Sequence, residues 1–68
     1  MKTRKTPKPD VSVENHGTLF LFRPHTRKGE RWIERNTDGM YFGNALAVEP
    51  RYARDLADGM IADGLKLV

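Results

Sequence analysis

The sequence predicts a small single domain of the α+β class, and three observations carry that prediction. Apolar residues alternate with polar ones near the N-terminus, with the period of a strand. In the last third, apolar residues recur at the spacing of a helix, and Gly and Pro separate these segments. The expected order of elements is ββαβαβ, with the sheet covered by one or two helices.

The first two strands are predicted as a β-hairpin over residues 11–23. Val11 and Val13 alternate with polar residues, and the turn that follows ends at Gly17, which adopts positive φ freely. The second strand then has four successive apolar residues: Leu19, Phe20, Leu21 and Phe22. Both faces of such a strand should be covered, so we expect it at the centre of the sheet. Pro24 should end it, because proline has no N–H to donate.

Residues 27–35 allow two interpretations. As a helix capped by Thr26, the segment would bury its apolar residues, although Gly29 would cost about 1 kcal/mol. As a strand, its second half would form a hairpin with residues 40–42. We expect the short helix.

The last third predicts a strand near residues 45–49, a helix over residues 50–63 and a strand at residues 65–68. Pro50 suits the first helical position, and Gly64 is typical of a helix end. The 15 residues between the two strands are enough for a parallel crossover, if both strands lie in one sheet.

The small size of the chain favours self-association. A domain of 68 residues buries only about 60% of its unfolded surface, and without cysteine it has neither disulfides nor a thiolate zinc site. If both helices pack on one face of the sheet, the other face leaves apolar residues of the central strand uncovered. The candidate contacts of a homodimer are therefore alternate members of Leu19, Phe20, Leu21 and Phe22. A monomer with one helix on each face is the alternative.

Positive charge is concentrated in the N-terminal half. Residues 1–35 carry nine Lys and Arg against four Asp and Glu, a net charge of +5, whereas residues 36–68 carry a net charge of −2. Residues 1–9 are predicted to be a flexible basic arm. Such a pattern could attract an anionic partner such as nucleic acid, but we interpret it first as a solubilising tail with ordinary surface charge. The candidate nucleic-acid contacts are Lys2, Arg4, Lys5, Lys8, Arg23, Arg27, Lys28 and Arg31, with Arg35 in the same cluster.

Phe20 and Phe22 also allow two interpretations. On a strand surface they would resemble the aromatic platforms on which nucleic-acid bases stack. Because both lie within an unbroken apolar run, they equally have the pattern of core residues.

Nothing in the sequence indicates catalysis, a cofactor or a metal. Ser12 could pair with His16 or His25, but no motif activates it as a nucleophile. The two histidines lie on opposite sides of a predicted strand, which disfavours a shared metal. Three carboxylates of the last helix are interpreted as solubilising charge: Asp55, Asp58 and Asp63. We therefore expect no enzymatic activity.

Hydropathy predicts a cytoplasmic protein that does not enter a membrane. No apolar run approaches the roughly 18 to 20 residues that a membrane span needs. The basic N-terminus is followed by polar residues, where a secretory signal would be apolar.

Four segments share a pattern with known sequences: residues 13–24, Trp32, residues 42–52 and residues 63–65. The most specific pieces are Asn-His-Gly-x-Leu at residues 15–19 and Val-Glu-x-Arg-Tyr at residues 48–52. On these pieces, residues 11–68 resemble a family of small bacterial proteins of unknown function. The resemblance implies an accessory protein of a chromosome, plasmid or phage, and it brings no ligand or catalytic residue.

We therefore expect a non-catalytic binding or regulatory protein that acts through a protein partner, such as an accessory protein of a mobile element or a defence-related locus. The alternative is a nucleic-acid-binding protein that uses its basic N-terminal half.

Overall fold

A computed structural model describes residues 9–37 and 39–68, with the backbone alone described at positions 40 and 42. Of the predicted basic arm, only Pro9 falls within that range. The architecture is α+β, as predicted. Its elements in chain order are β1 (Val11–Asn15), β2 (Phe20–Pro24), α1 (Arg27–Asn36), β3 (Met40–Phe42), β4 (Ala45–Val48) and α2 (Pro50–Ala62).

The four strands form one antiparallel sheet in the order β1-β2-β4-β3. Strand β2 is paired on both sides, which confirms its predicted central position. Val13 lies opposite Phe22, and Phe22 lies opposite Leu46, so these apolar residues share one face of the sheet. Phe22 is fully buried, and Leu46 is 2% exposed. The strands therefore contribute to the hydrophobic core from this face of the sheet.

The turn between β1 and β2 has the chemistry that its sequence predicts. The backbone N–H of Gly17 donates to Asn15 Oδ1 at 2.8 Å, and Gly17 has a φ of 83°. The N–H of His16 donates to the carbonyl of Leu19 at 2.8 Å. The Asn side chain thus replaces a backbone partner, and glycine accepts positive φ without a steric cost.

Residues 27–36 form the helix, not the alternative strand. Thr26 caps it, because the N–H of Gly29 donates to Thr26 Oγ1 at 3.0 Å. The same hydroxyl donates to Asp10 Oδ1 at 2.7 Å. Ile33 is buried on the side of α1 that packs against the sheet. The cap and this apolar contact together favour the helix over the strand.

Strand β3 was not among the predicted elements, so the order ββαβαβ is incomplete. Residues 40–42 pair with β4 across a tight turn in which Gly43 has a φ of 64°. A strand at residues 40–42 was expected only in the alternative in which residues 31–35 are also a strand. A strand of three residues is too short to show a period, and it forms because β4 offers a free edge.

Helix α2 ends at the predicted glycine in a Schellman motif. The N–H of Leu65 donates to the carbonyl of Met60, and the N–H of Gly64, with φ 92°, donates to the carbonyl of Ile61, each at 3.0 Å. Met60 and Leu65 are both buried in the core. This apolar contact is the one that usually accompanies the motif.

The C-terminal residues lie beside β1. Leu67 forms an isolated parallel bridge with Val11, and the N–H of Val13 donates to the carbonyl of Val68 at 2.9 Å. The predicted strand at residues 65–68 is therefore a single bridge and not a regular strand. It runs parallel to β4, because β4 and β1 are each antiparallel to β2.

Both helices pack on the same face of the sheet. Phe22 forms one core cluster with residues of α1 and α2: Ile33, Ala53 and Met60. Residues that alternate with the core positions point to the other side, where no described helix covers them. We call this side the open face, and its residues on β1, β2 and β4 are Ser12, Glu14, Leu21, Arg23, Ala45 and Ala47, of which Ala45 is fully buried.

Candidate functional site

The strongest concentration of positive charge in the described structure lies in a groove between α1 and the C-terminal end of α2. The groove has a volume of about 620 Å³. We call it the basic groove, and it is lined by Arg27, Lys28, Arg31, Trp32, Arg35, Asn36, Asp63 and Leu65. Four cationic side chains against one carboxylate give it a net charge of +3.

Three arginines form a continuous stripe along the groove. Arg27, Arg31 and Arg35 are four residues apart, so the geometry of α1 places them on one side of the helix. Like charges at this spacing destabilise a helix by about 0.2–0.5 kcal/mol per pair. A bound anion would relieve that repulsion.

No carboxylate of the described residues lies within ion-pair distance of these arginines. Among residues 9–37 and 39–68, the ion pairs within 4.0 Å join Glu14 to His16, Glu14 to Arg23 and Glu49 to Arg51. Glu30 and Glu34 belong to α1 but line a different pocket, beside Tyr41. Glu30 and Glu34 nevertheless follow Arg27 and Arg31 by three residues, so they border the arginine stripe on the surface of α1.

Lys28 and Trp32 of α1 form hydrogen bonds to the residues that follow α2, beside the groove. Lys28 Nζ donates to the carbonyl of Gly64 at 3.0 Å, and Trp32 Nε1 donates to Asp63 Oδ2 at 2.6 Å. A cation at the C-terminal end of α2 also interacts favourably with the helix dipole. Lys28, a predicted nucleic-acid contact, thus has a structural partner that the sequence did not reveal.

The structure separates Arg23 from the other predicted contacts. Arg23 lies on the open face, where its Nε and Nη2 each donate to the Glu14 carboxylate at 3.2 Å. Hydrogen bonds from Arg23 and then His16 lower the pKa of Glu14 to about 2. Because Glu14 neutralises it on the opposite side of the sheet from α1, Arg23 is not part of the basic groove. The predicted contacts Lys2, Arg4, Lys5 and Lys8 lie outside the described residues.

Phe20 and Phe22 form no platform for stacking bases. Phe22 is fully buried, and Phe20 packs against the same core cluster beneath the helices. The interpretation of Phe20 and Phe22 as core residues is therefore correct, and the stacking interpretation is wrong. For the same reason a second copy of the chain cannot contact Phe22, whereas Leu21 lies on the open face.

The open face also brings Ser12 and His25 together. Ser12 Oγ lies 2.5 Å from His25 Nε2, in a hydrogen bond whose donor depends on the imidazole tautomer. A nucleophilic serine also needs a third group that orients the histidine. No carboxylate of the described residues is bonded to His25, and His16 bonds to Glu14 instead. The pair is a cross-strand contact.

Neither a metal-binding cluster nor a membrane-spanning helix is present among the described residues. Residues 9–37 and 39–68 contain no group of three or more side chains that could hold a metal ion. None of the helices described has both the length and the apolar character that a membrane span requires.

Comparisons with known proteins place no constraint on this groove. The chain matches no family model, and neither a curated protein nor a solved structure matches it. The resemblance to a small bacterial family therefore stays a prediction.

Proposed function

We propose that this protein is a non-catalytic binding protein whose basic groove binds nucleic acid. One observation carries the proposal: Arg27, Arg31 and Arg35 lie along one groove, and no carboxylate of the described residues forms an ion pair with them within 4.0 Å.

Arginine is the side chain best suited to phosphate. Its planar guanidinium forms paired hydrogen bonds to phosphate oxygens and keeps its charge at every physiological pH. A sequence pI of about 9.6 and the four cationic residues at positions 2, 4, 5 and 8 add to the attraction for a polyanion. These features support nucleic acid over a neutral ligand.

Fluorescence anisotropy with a labelled DNA duplex tests the proposal. The double variant Arg31→Gln/Arg35→Gln removes two groove charges, and Arg51→Gln/Arg54→Gln removes two charges from α2 as a matched control. At moderate salt we expect the groove variant to lose about tenfold or more in affinity, because each phosphate contact contributes a salt-dependent term. We expect the control to lose little. Equal losses in the two variants would show that net charge, and not the groove, is responsible.

A protein partner is the second candidate function, and the open face supports it. Leu21 and Ala47 lie side by side there, without a described helix over them. Proteins encoded by neighbouring genes are the partners to test by titration calorimetry. If this function is correct, Leu21→Lys abolishes binding, whereas Arg31→Gln/Arg35→Gln does not.

A further inference from the structure

The side of α1 that faces the basic groove carries two parallel rows of side chains. Residues four apart on a helix lie one above the other, so the sequence of α1 gives each row its own chemistry. The first row, which we call the arginine row, is Arg27, Arg31 and Arg35, and the second is Lys28, Trp32 and Asn36. The groove therefore presents a row of cations beside a row that contains an aromatic ring.

Trp32 is the one aromatic residue among the described residues of the groove lining, and contacts within the protein orient its indole. Nε1 donates to Asp63 Oδ2 at 2.6 Å. The six-membered ring faces α2, where a Cβ on Gly59 would be 3.5 Å from Cζ2. The side chain is only half-buried, and it borders the groove. A ring that is already oriented loses little conformational freedom when a planar ligand stacks on it.

The arginine row lies in a concave site. A helix that reads a duplex enters the major groove of the DNA as a projecting element. Here the arginines border a groove that Asp63 and Leu65, which follow α2, also line. The groove volume of about 620 Å³ is within the range of pockets that enclose a small molecule, so it suits individual nucleotides better than a duplex.

We infer, on the basis of the nucleic-acid binding proposed above, that the basic groove is a site for single-stranded nucleic acid, in which the arginine row binds phosphates and a base stacks on Trp32. Proteins that bind single strands combine these two features, a cationic groove along the backbone and an aromatic ring for the bases. A duplex contacts the arginines alone, because its bases are paired and stacked on each other and are costly to extrude.

Asn36 gives a stacked base a hydrogen-bonding partner. Its Nδ2 donates to the carbonyl of Trp32 at 2.9 Å, whereas its Oδ1 accepts no hydrogen bond from the described residues. This oxygen and the guanidinium groups are available to the edge of a base. The site therefore permits a preference among bases in addition to stacking.

Three DNA ligands of equal length test the inference with the full chain: a dT strand, the same strand with abasic sites in place of its bases, and a dT·dA duplex. The abasic strand keeps the phosphates and lacks the bases, so the difference between the two strands measures the contribution of the bases. Because the protein has a single tryptophan, its emission reports on position 32. We expect the dT strand to quench this emission strongly and to bind about fivefold or more tightly than the abasic strand, whereas the abasic strand and the duplex leave the emission nearly unchanged.

Two variants separate stacking from a structural role of Trp32. Trp32→Leu removes the aromatic ring, and Trp32→Phe keeps a ring while it loses the hydrogen bond to Asp63. By fluorescence anisotropy, we expect Trp32→Leu to lose about fivefold or more in affinity for the dT strand and to keep its affinity for the abasic strand and the duplex. Trp32→Phe should retain most of the affinity for dT. Equal losses for all three ligands in Trp32→Leu would assign the residue a structural role alone and overturn the inference.

The outcomes distinguish the inference from the proposed function. An emission that the dT strand leaves unchanged, or groove-dependent binding that is tighter for the duplex than for the dT strand, would overturn the inference and leave the proposed function intact. Binding that Arg31→Gln/Arg35→Gln does not weaken for any ligand would overturn both. Circular dichroism checks that the variants are folded, and the comparison of the dT and abasic strands on the unchanged protein decides the question if they are not.

Discussion

Gly29 of α1 lies against the backbone of Asp10, at the start of β1. A Cβ placed on Gly29 would be 2.5 Å from the Asp10 carbonyl oxygen and 3.2 Å from Val11 Cγ2. Real Cβ atoms essentially never approach a backbone oxygen so closely, so only glycine lets α1 come this near the sheet. The residue that weakens α1 as an isolated helix is therefore required by its packing.

Changing Gly29 to Ala should destabilise the fold by about 1–3 kcal/mol, because the overpacked helix must shift and alanine's helix propensity offsets only part of that cost. Gly59→Ala is the matched control, since a Cβ there meets Trp32 at an ordinary 3.5 Å. That change should stabilise the protein by about 0.5–1 kcal/mol. Urea denaturation followed by circular dichroism measures both. Equal stability of Gly29→Ala and the unchanged protein would contradict the close approach.

The Thr26 hydroxyl connects α1 to Asp10, the residue before β1. Removing the hydroxyl should therefore lower the free energy of unfolding by more than the loss of an isolated helix cap would. It accepts from the N–H of Gly29 and donates to Asp10 Oδ1. Thr26→Ala should lose about 1–2 kcal/mol in the free energy of unfolding. Thr26→Ser keeps both hydrogen bonds and should retain most of the stability. A serine variant as unstable as the alanine variant would show that the methyl group, not the hydroxyl, is responsible.

Acid should destabilise the fold through two carboxylates. Hydrogen bonds from Thr26 and from the N–H of Lys66 lower the pKa of Asp10, and Arg23 with His16 lowers the pKa of Glu14 to about 2. A pKa that is lower in the folded state means that the stabilisation is complete above the unfolded pKa and is lost as pH falls. For Glu14 the loss runs from about pH 4.5 down to about 2.

Urea midpoints measured across this pH range test the effect. We expect a constant midpoint between about pH 5 and 7 and a decline below it. Glu14→Gln and Asp10→Asn should each flatten the decline, and Asp10→Asn should also cost about 1 kcal/mol at neutral pH through its hydrogen bonds. If both variants decline as steeply as the unchanged protein, other groups control the acid transition.

The open face predicts self-association. Both helices cover the other side of the sheet, and Leu21 is half-buried on the open face, where no described helix covers it. Light scattering should give a mass twice 7.8 kDa at high micromolar concentration. Leu21→Lys should return the mass to that of a monomer, and Ile61→Ser, an exposed position on α2, should leave the dimer intact. A constant mass of 7.8 kDa for the unchanged protein would rule the dimer out.

Local chemistry made several elements predictable from the sequence. Thr26 caps α1, Pro50 begins α2 and Gly64 ends it, because each residue acts on backbone groups within a few positions of itself. The Asn15 and Gly17 turn follows the same rule. Such interactions depend on sequence separation alone, so a reader of the sequence can find them.

Interactions between distant residues were decided only by the tertiary structure. Three residues of β3 carry too little pattern to be recognised, and they become a strand because β4 offers its edge. Sheet register places Glu14 beside Arg23, which removes one predicted contact, while helix packing leaves Arg27, Arg31 and Arg35 in a groove. In the sequence, Arg23 and the three arginines of α1 each count as one positive charge. What differs is which charges the folded chain brings within a few ångströms of each other, and Coulomb energy depends on that distance.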